Sequence, residues 1–330
     1  MEVAPVPDLA DLAASLDAFL NAVQAFSAHV ADIAWGYLAA ALLLTLAMQL
    51  VRAHGWANAI RAAYPTSPVS ETRIAGSFLV GAGLNGVLPA HGGDAVKIVL
   101  AKRGIERSSY PTIISSLAVL APFDAVMGAL VLLYAITQGL LPRPPRLPDL
   151  PAFEISYWAA HPEVLLLLLA VLGIGALVLF AILARRVQSF SRGFKRGLVI
   201  LGEPARYARR VMVWQLIGWL FRFASFWLFL DAFHVGGSFQ NVLLVMSVQS
   251  ITSSLPLTPG GVGAQQALLV ATLGASSRAA VVTYSVGQQL AVTAWSLALA
   301  FLSLLFIFRT RDWRGLVREG EAAKAEAGAG

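Results

Sequence analysis

Two stretches, Gly81-Ala-Gly-Leu-Asn85-Gly-Val-Leu88-Pro89-Ala-His91-Gly92-Gly93-Asp94-Ala-Val-Lys97 and Ser253-Ser-Leu255-Pro256-Leu-Thr-Pro259-Gly260-Gly261-Val-Gly263-Ala-Gln265-Gln266, interrupt apolar segments that run from Ile74 to Arg103 and from Asn241 to Gly274. Both have the same order: an apolar run, Leu-Pro, a few residues, Gly-Gly, and a second helix-forming run. Proline removes a backbone donor and clashes with the preceding turn, and paired glycines add backbone freedom. The pattern around Pro89, Pro256 and Pro259 therefore predicts two half-helices joined by an unwound turn in each segment. Irregular backbone at membrane depth is tolerated only where protein or a polar cavity satisfies it. One such segment alone reads as well as a proline kink between packed helices. Two in corresponding positions point to a binding site between the halves of a transporter-like protein.

The flanking sequence supplies the membrane frame. About 20 apolar residues are needed to cross the hydrocarbon core, and Ile33 to Val51, Pro111 to Gln138, Val164 to Leu183, Val211 to Asp231 and Ala279 to Phe308 meet that requirement. Lys and Arg mark the cytoplasmic side. Eight basic residues against Glu203 alone lie between Arg185 and Arg210, and Arg309, Arg311, Arg314, Arg318 and Lys324 follow the last span. Both regions are expected inside. The first 51 residues carry five acids and no Lys or Arg, which predicts an external N-terminus. There, Leu9, Leu12, Leu16, Phe19, Val23, Phe26 and Val30 recur at steps of three and four, giving an external amphipathic helix within residues 1–32.

A first hairpin entering from inside and a second from outside make the halves inverted repeats. The expected domain is a single transmembrane unit over 33–308, with repeat one at about 33–138, a linking span at 162–184, repeat two at about 211–308, and a cytoplasmic tail at 309–330. The expected fold class is all-α: a polytopic transmembrane helical bundle with two interrupted, re-entrant hairpins.

Composition agrees and excludes other classes. Charged residues make up 13% of the chain and hydrophobic ones 58%, with mean hydropathy +0.71, whereas a soluble domain carries about 25% charged residues. The net charge of +6 would suggest nucleic acid in a soluble protein. Here it is concentrated in the loop from Arg185 to Arg210, flanked by spans, so nucleic acid is not an expected partner. The absence of cysteine excludes disulfides, thiolate metal centres and a cysteine nucleophile. His29, His54, His91, His161 and His234 lack metal-ligand spacing. No metal, cofactor or catalytic residue is expected.

The pairing of Asn85-x-x-Leu88-Pro89-x-x-x-Gly93-Asp94-x-x-Lys97 with Leu255-Pro256-x-x-Pro259-Gly260-Gly261-x-Gly263 resembles the flippase-like integral membrane family that includes the transmembrane region of lysylphosphatidylglycerol synthases. The likeness covers about Ile33 to Phe308. It implies a lipid or lipid-linked substrate. Two departures stand out: Gln266 where the family usually has an acid, and Leu120-Ala121 ahead of Asp124 where it often has a Glu-Arg pair.

Within the spans, Arg222 is the sharpest single residue. An ionisable group at the centre of a helix costs about 2.5–3.5 kcal/mol on insertion scales and faces a partner or cavity. Arg222 is expected to contact an anion or to pair with Asp124 or Asp94, and its planar fork suits a phosphate. Asp94 and Lys97 open the second half-helix, where Asp94 also fits an N-cap and Lys97 also fits snorkelling to the interface. Free N–H groups at a helix start favour anions. Gly92 and Gly93 with Lys97, and Gly260, Gly261 and Gly263 opposite, thus form a candidate phosphate cradle. Asn85, Gln249, Gln265, Gln266, Gln288 and Gln289 add neutral polar groups, each of which also fits a hydrogen bond between packed helices. The expected function is transfer of an anionic phospholipid or lipid-linked (polyprenyl or glycolipid) intermediate between leaflets; the alternative is a membrane-embedded enzyme acting on a lipid phosphate or lipid-linked sugar. Expected partners are membrane lipids, with a homo-oligomer left open.

Overall fold

The computed structural model describes residues 32–88, 92–106, 108–137, 191–254, 269, 273 and 278–309, and helix is the only regular structure among them. Four helices are long and apolar enough to cross a membrane: Trp35–Ala63, Tyr110–Val131, Pro204–Ala232 and Ala280–Phe308. They coincide with four of the expected spans, and the chain is an all-α, multi-pass membrane protein. The remaining span from Val164 to Leu183 lies outside the described residues, as do the amphipathic segment, the tail beyond Arg309, Pro89, His91 and the turn from Leu255 to Gln266.

Helix α1 (Trp35–Ala63) runs past Val51, the expected end of the first span, and carries Arg52 and His54 inside it. Small and apolar residues, from Gly55 through Ile60, continue the helix and are buried. It stops at Tyr64 because Pro65 follows and disfavours helical backbone in the residue before it; Tyr64 accordingly has φ −127° and ψ 69°. Ser70 then caps α2 (Glu71–Asn85), its side chain accepting from the Arg73 N–H at 3.4 Å, and Glu71 in the first turn suits the helix dipole.

Helix α2 ends at Asn85, ahead of Leu88-Pro89, and α3 (Gly92–Arg103) begins at the glycine pair. At 15 and 12 residues they are about 22 and 18 Å long, too short to cross a ~30 Å core. The expected break is therefore real in the first segment. The two helices touch backbone to backbone. A Cβ on Gly81 would stand 2.8 Å from the Lys97 Cβ, and one on Gly93 2.7 Å from the Asn85 nitrogen. Only glycine permits that approach, and it seats Lys97 against α2.

The segment expected as one span from Pro111 to Gln138 is divided into α4 (Tyr110–Ala118) and α5 (Ala121–Thr137). Pro122 has no N–H to return to the preceding turn, so the ladder breaks there. Helix α6 (Ser191–Gly197) packs on α4, with Gly197 close to Ser116. Helix α7 (Pro204–Ala232) starts before the expected Val211 and contains a wider π turn at Ala208–Met212. Helix α8 (Phe239–Ser254) is the first half of the second interrupted segment and reaches the edge of the described residues just before Leu255-Pro256. Helix α9 (Arg278–Leu302) continues as π-helix to Phe308 and packs along α2.

Helices α1 and α7 pack antiparallel along their length. Thr45 Oγ1 and Ser225 Oγ lie 3.0 Å apart, Arg52 faces Gly218, Gly55 faces Trp214, and Asn58 Nδ2 donates to the Arg210 carbonyl at 2.9 Å. One apolar core surrounds Phe226, Phe229, Leu230, Val245 and Tyr284, a second surrounds Trp56, Ile60, Ile113 and Val211, and a third surrounds Val80, Val96, Leu100 and Ala300. Beside them, α1 contributes the polar residues Thr45, Gln49 and Arg52, and α7 contributes Gln215, Arg222 and Ser225. Leu43, Leu50, Leu216, Leu220, Phe301 and Phe306 point outward, exposed, as residues facing lipid do.

Candidate binding site

Residues of α1, α2, α3 and α7 enclose part of a cavity of about 290 Å³. It is lined by Met48, Gln49 and Arg52 of α1, Phe78, Ala82 and Asn85 of α2, Asp94 and Lys97 of α3, and Arg222 of α7. Four residues singled out from sequence, Asn85, Asp94, Lys97 and Arg222, thus share one space although Lys97 and Arg222 are far apart in the chain. Gly93 lies at the α2–α3 contact beside Asn85, and Gly92 packs on Leu88. Gly260, Gly261, Gly263 and Gln266 fall outside the described residues, as do Pro89, Pro256 and Pro259.

Each cation is held by its own set of neighbours. Lys97 is 8% exposed; its Nζ lies 2.8 Å from Asp94 Oδ1 and 4.8 Å from the centre of the Phe78 ring. Asn85 Nδ2 donates to the same Asp94 oxygen at 3.1 Å, which ties the end of α2 to the start of α3. Asp94 thus serves as a charge partner within the cavity as well as standing at a helix start. Arg222 Nη2 donates to Gln249 Oε1 at 2.8 Å, and its guanidinium lies 5.1 Å from the Trp219 ring and 5.9 Å from the Phe226 ring. Two aromatic faces and a neutral amide cradle this charge, an arrangement that desolvates it without neutralising it.

Arg52 is the residue that sequence reasoning missed. Its Nη1 and Nη2 donate to Asp124 Oδ1 and Oδ2 at 3.0 and 2.6 Å, a two-point pair between α1 and α5. Trp219 Nε1 donates to Asp124 Oδ1 at 2.9 Å. Asp124 is therefore engaged by Arg52 and Trp219, whereas the hydrogen bond of Arg222 goes to Gln249. The Trp219 indole links the two arginines, with its N–H on the partner of one and its face under the other. A cation directly after the stretch Ile33 to Val51 reads as the end of a span; the signal that α1 continues was the run Gly55 to Ile60 beyond it.

Gln49 stands fourteen residues from either end of Trp35–Ala63, and Gly218, which faces Arg52, fourteen from either end of Pro204–Ala232. Three cations, Arg52, Lys97 and Arg222, line this cavity. Among the described residues no group of His, Asp and Glu is placed to hold a metal ion.

Comparison with known families gives a match over residues 12–300 to the family model described as the lysylphosphatidylglycerol synthase TM region. No curated protein and no solved structure matches the chain.

Proposed function

The chain belongs to the lysylphosphatidylglycerol synthase TM region family, and from that premise we propose that it carries an anionic phospholipid or a lipid-linked intermediate between membrane leaflets. The observation that carries this reading is the cavity lined by Lys97, Arg52 and Arg222. A phosphate entering it meets two guanidinium forks and an ammonium, each already ordered by a neighbour, so little further ordering is needed on binding. Acyl or polyprenyl chains remain among the outward-facing leucines and phenylalanines.

In this reading both interrupted segments are re-entrant, and Gly260, Gly261, Gly263 and Gln266 belong to the same headgroup site. One half rocks against the other about the α1–α7 contact, exposing the site to each leaflet in turn. The N-terminus lies outside and the basic loop and tail inside, as the charge distribution requires.

The test is leaflet exchange of fluorescent phosphatidylglycerol in vesicles containing the purified full chain. Exchange above protein-free vesicles is expected. Lys97→Ala and Arg222→Ala each lower it, and Arg222→Lys, which keeps the charge but loses the fork, lowers it by about tenfold. Unchanged exchange in the Lys97→Ala, Arg222→Ala double variant would overturn the assignment of the headgroup site.

A further inference from the structure

We propose that Asp124 sets the charge of the headgroup this site accepts, restricting it to lipids whose headgroup phosphate is a singly charged diester. The inference rests on the reading above and narrows its substrate class.

The count follows from the contacts. Arg52, Lys97 and Arg222 bring three positive charges to the cavity wall and Asp94 one negative charge. Asp124 stands behind Arg52 and holds both of its terminal nitrogens, adding a second negative charge within bonding distance of the wall. The described site therefore has a net charge of one positive. The Arg52 and Lys97 side chains are largely buried, 18% and 10% exposed, and uncompensated charge beside them is costly. A phosphodiester carries one negative charge and leaves the assembly neutral. A phosphomonoester carries between about 1.5 and 2 at neutral pH, and a pyrophosphate more, so either leaves an unpaired negative charge in the cavity.

Asp124 acts here as a positioning residue, because it reaches the headgroup only through Arg52. With its carboxylate present, the Arg52 fork is shared between Asp124 and the cavity. Trp219 Nε1 donates to the same Asp124 oxygen, Oδ1, that accepts from Arg52 Nη1. Replacing Asp124 by the isosteric amide keeps the shape and a hydrogen-bond acceptor but raises the site to two positive charges, which matches a dianionic headgroup. Removing the Arg52 charge as well restores the net single positive charge.

Two kinds of lipid share the diester chemistry: glycerophospholipids such as phosphatidylglycerol, and polyprenyl phosphates esterified to a sugar. The experiment is displacement of fluorescent phosphatidylglycerol from the purified full chain in mixed micelles at pH 8, using phosphatidylglycerol, a polyprenyl phosphosugar and phosphatidic acid as competitors. For the unmodified chain, at least one diester is expected to compete about tenfold more strongly than the monoester; whichever diester competes better identifies the lipid source. Asp124→Asn is expected to shrink that ratio below about threefold or to reverse it, and Arg52→Gln combined with Asp124→Asn to restore it. A merely structural Asp124 would weaken all three competitors together and would not be rescued. Equal competition by diester and monoester in the unmodified chain overturns the proposal, whether or not the variants fold, while leaving the transport reading in place. Failure of the fluorescent lipid to bind the chain at all overturns both.

Discussion

Gly83 on α2 lies so close to Ala300 on α9 that a methyl group on it would stand 2.6 Å from the Ala300 Cβ, with the Ser296 carbonyl equally crowded. Small residues at such crossings let membrane helices associate through close van der Waals contact. Gly83→Ala is expected to destabilise the protein by about 1–3 kcal/mol through forced separation of the helices. Gly128→Ala on α5, where no atom lies within 4 Å, is expected to be neutral or to stabilise by up to about 1 kcal/mol. Thermal unfolding of both variants in the same detergent checks the contrast, and equal effects would refute the close contact.

Arg52 and Asp124 are both partly buried, with side chains 18% and 31% exposed. Removing one leaves the other charged and unpaired in an apolar surrounding. Arg52→Met and Asp124→Leu are each expected to cost about 1–3 kcal/mol, and the double variant less than the worse single one. A double-mutant cycle on unfolding free energy measures this; strict additivity would show that the pair is not coupled.

Much of this arrangement was legible in the sequence, because its causes are local. The break after Asn85 follows from proline and glycine, and Asn85, Asp94 and Lys97 are close in sequence, so the α2–α3 crossing brings them together. Arg222 announces itself as a cation far from either end of an apolar run. Arg52 did not, since a charge after a long apolar stretch has the appearance of a boundary. Its partner, Asp124, stands 72 positions away. The partner of Asp124 was equally hidden: both Arg52 and Arg222 were compatible with pairing by charge, and the choice depends on how α1, α5 and α7 are rotated about their axes.

Glu71 lies outside the four spans and receives the His54 ring and, at 3.1 Å, Arg61 Nη2. The hydrogen bond from His54, followed by Arg61, holds its carboxyl below the usual carboxylate range against a weaker opposing effect of burial. A carboxyl with a lowered folded-state pKa stabilises above its ordinary pKa and loses that contribution as pH falls through the folded value. Glu71→Gln is therefore expected to lower the melting temperature at pH 7 by at most about 3 °C, the residue being half exposed, and to have no effect once the pH is well below about 4. A deficit that persisted at low pH would mean that packing, not charge, is responsible.

The chain has no cysteine, so single cysteines can be placed without background. Under the proposed orientation Ser15→Cys is labelled by an impermeant maleimide in intact cells, and Ser191→Cys only after the membrane is opened. The reverse pattern would invert the topology and with it the side from which α2 and α3 enter.

Under the proposed function the headgroup meets the same three cations, Arg52, Lys97 and Arg222, whichever leaflet it comes from. Those contacts favour neither direction, so in vesicles of uniform composition the protein is expected to equilibrate its substrate between leaflets and not to concentrate it on one side.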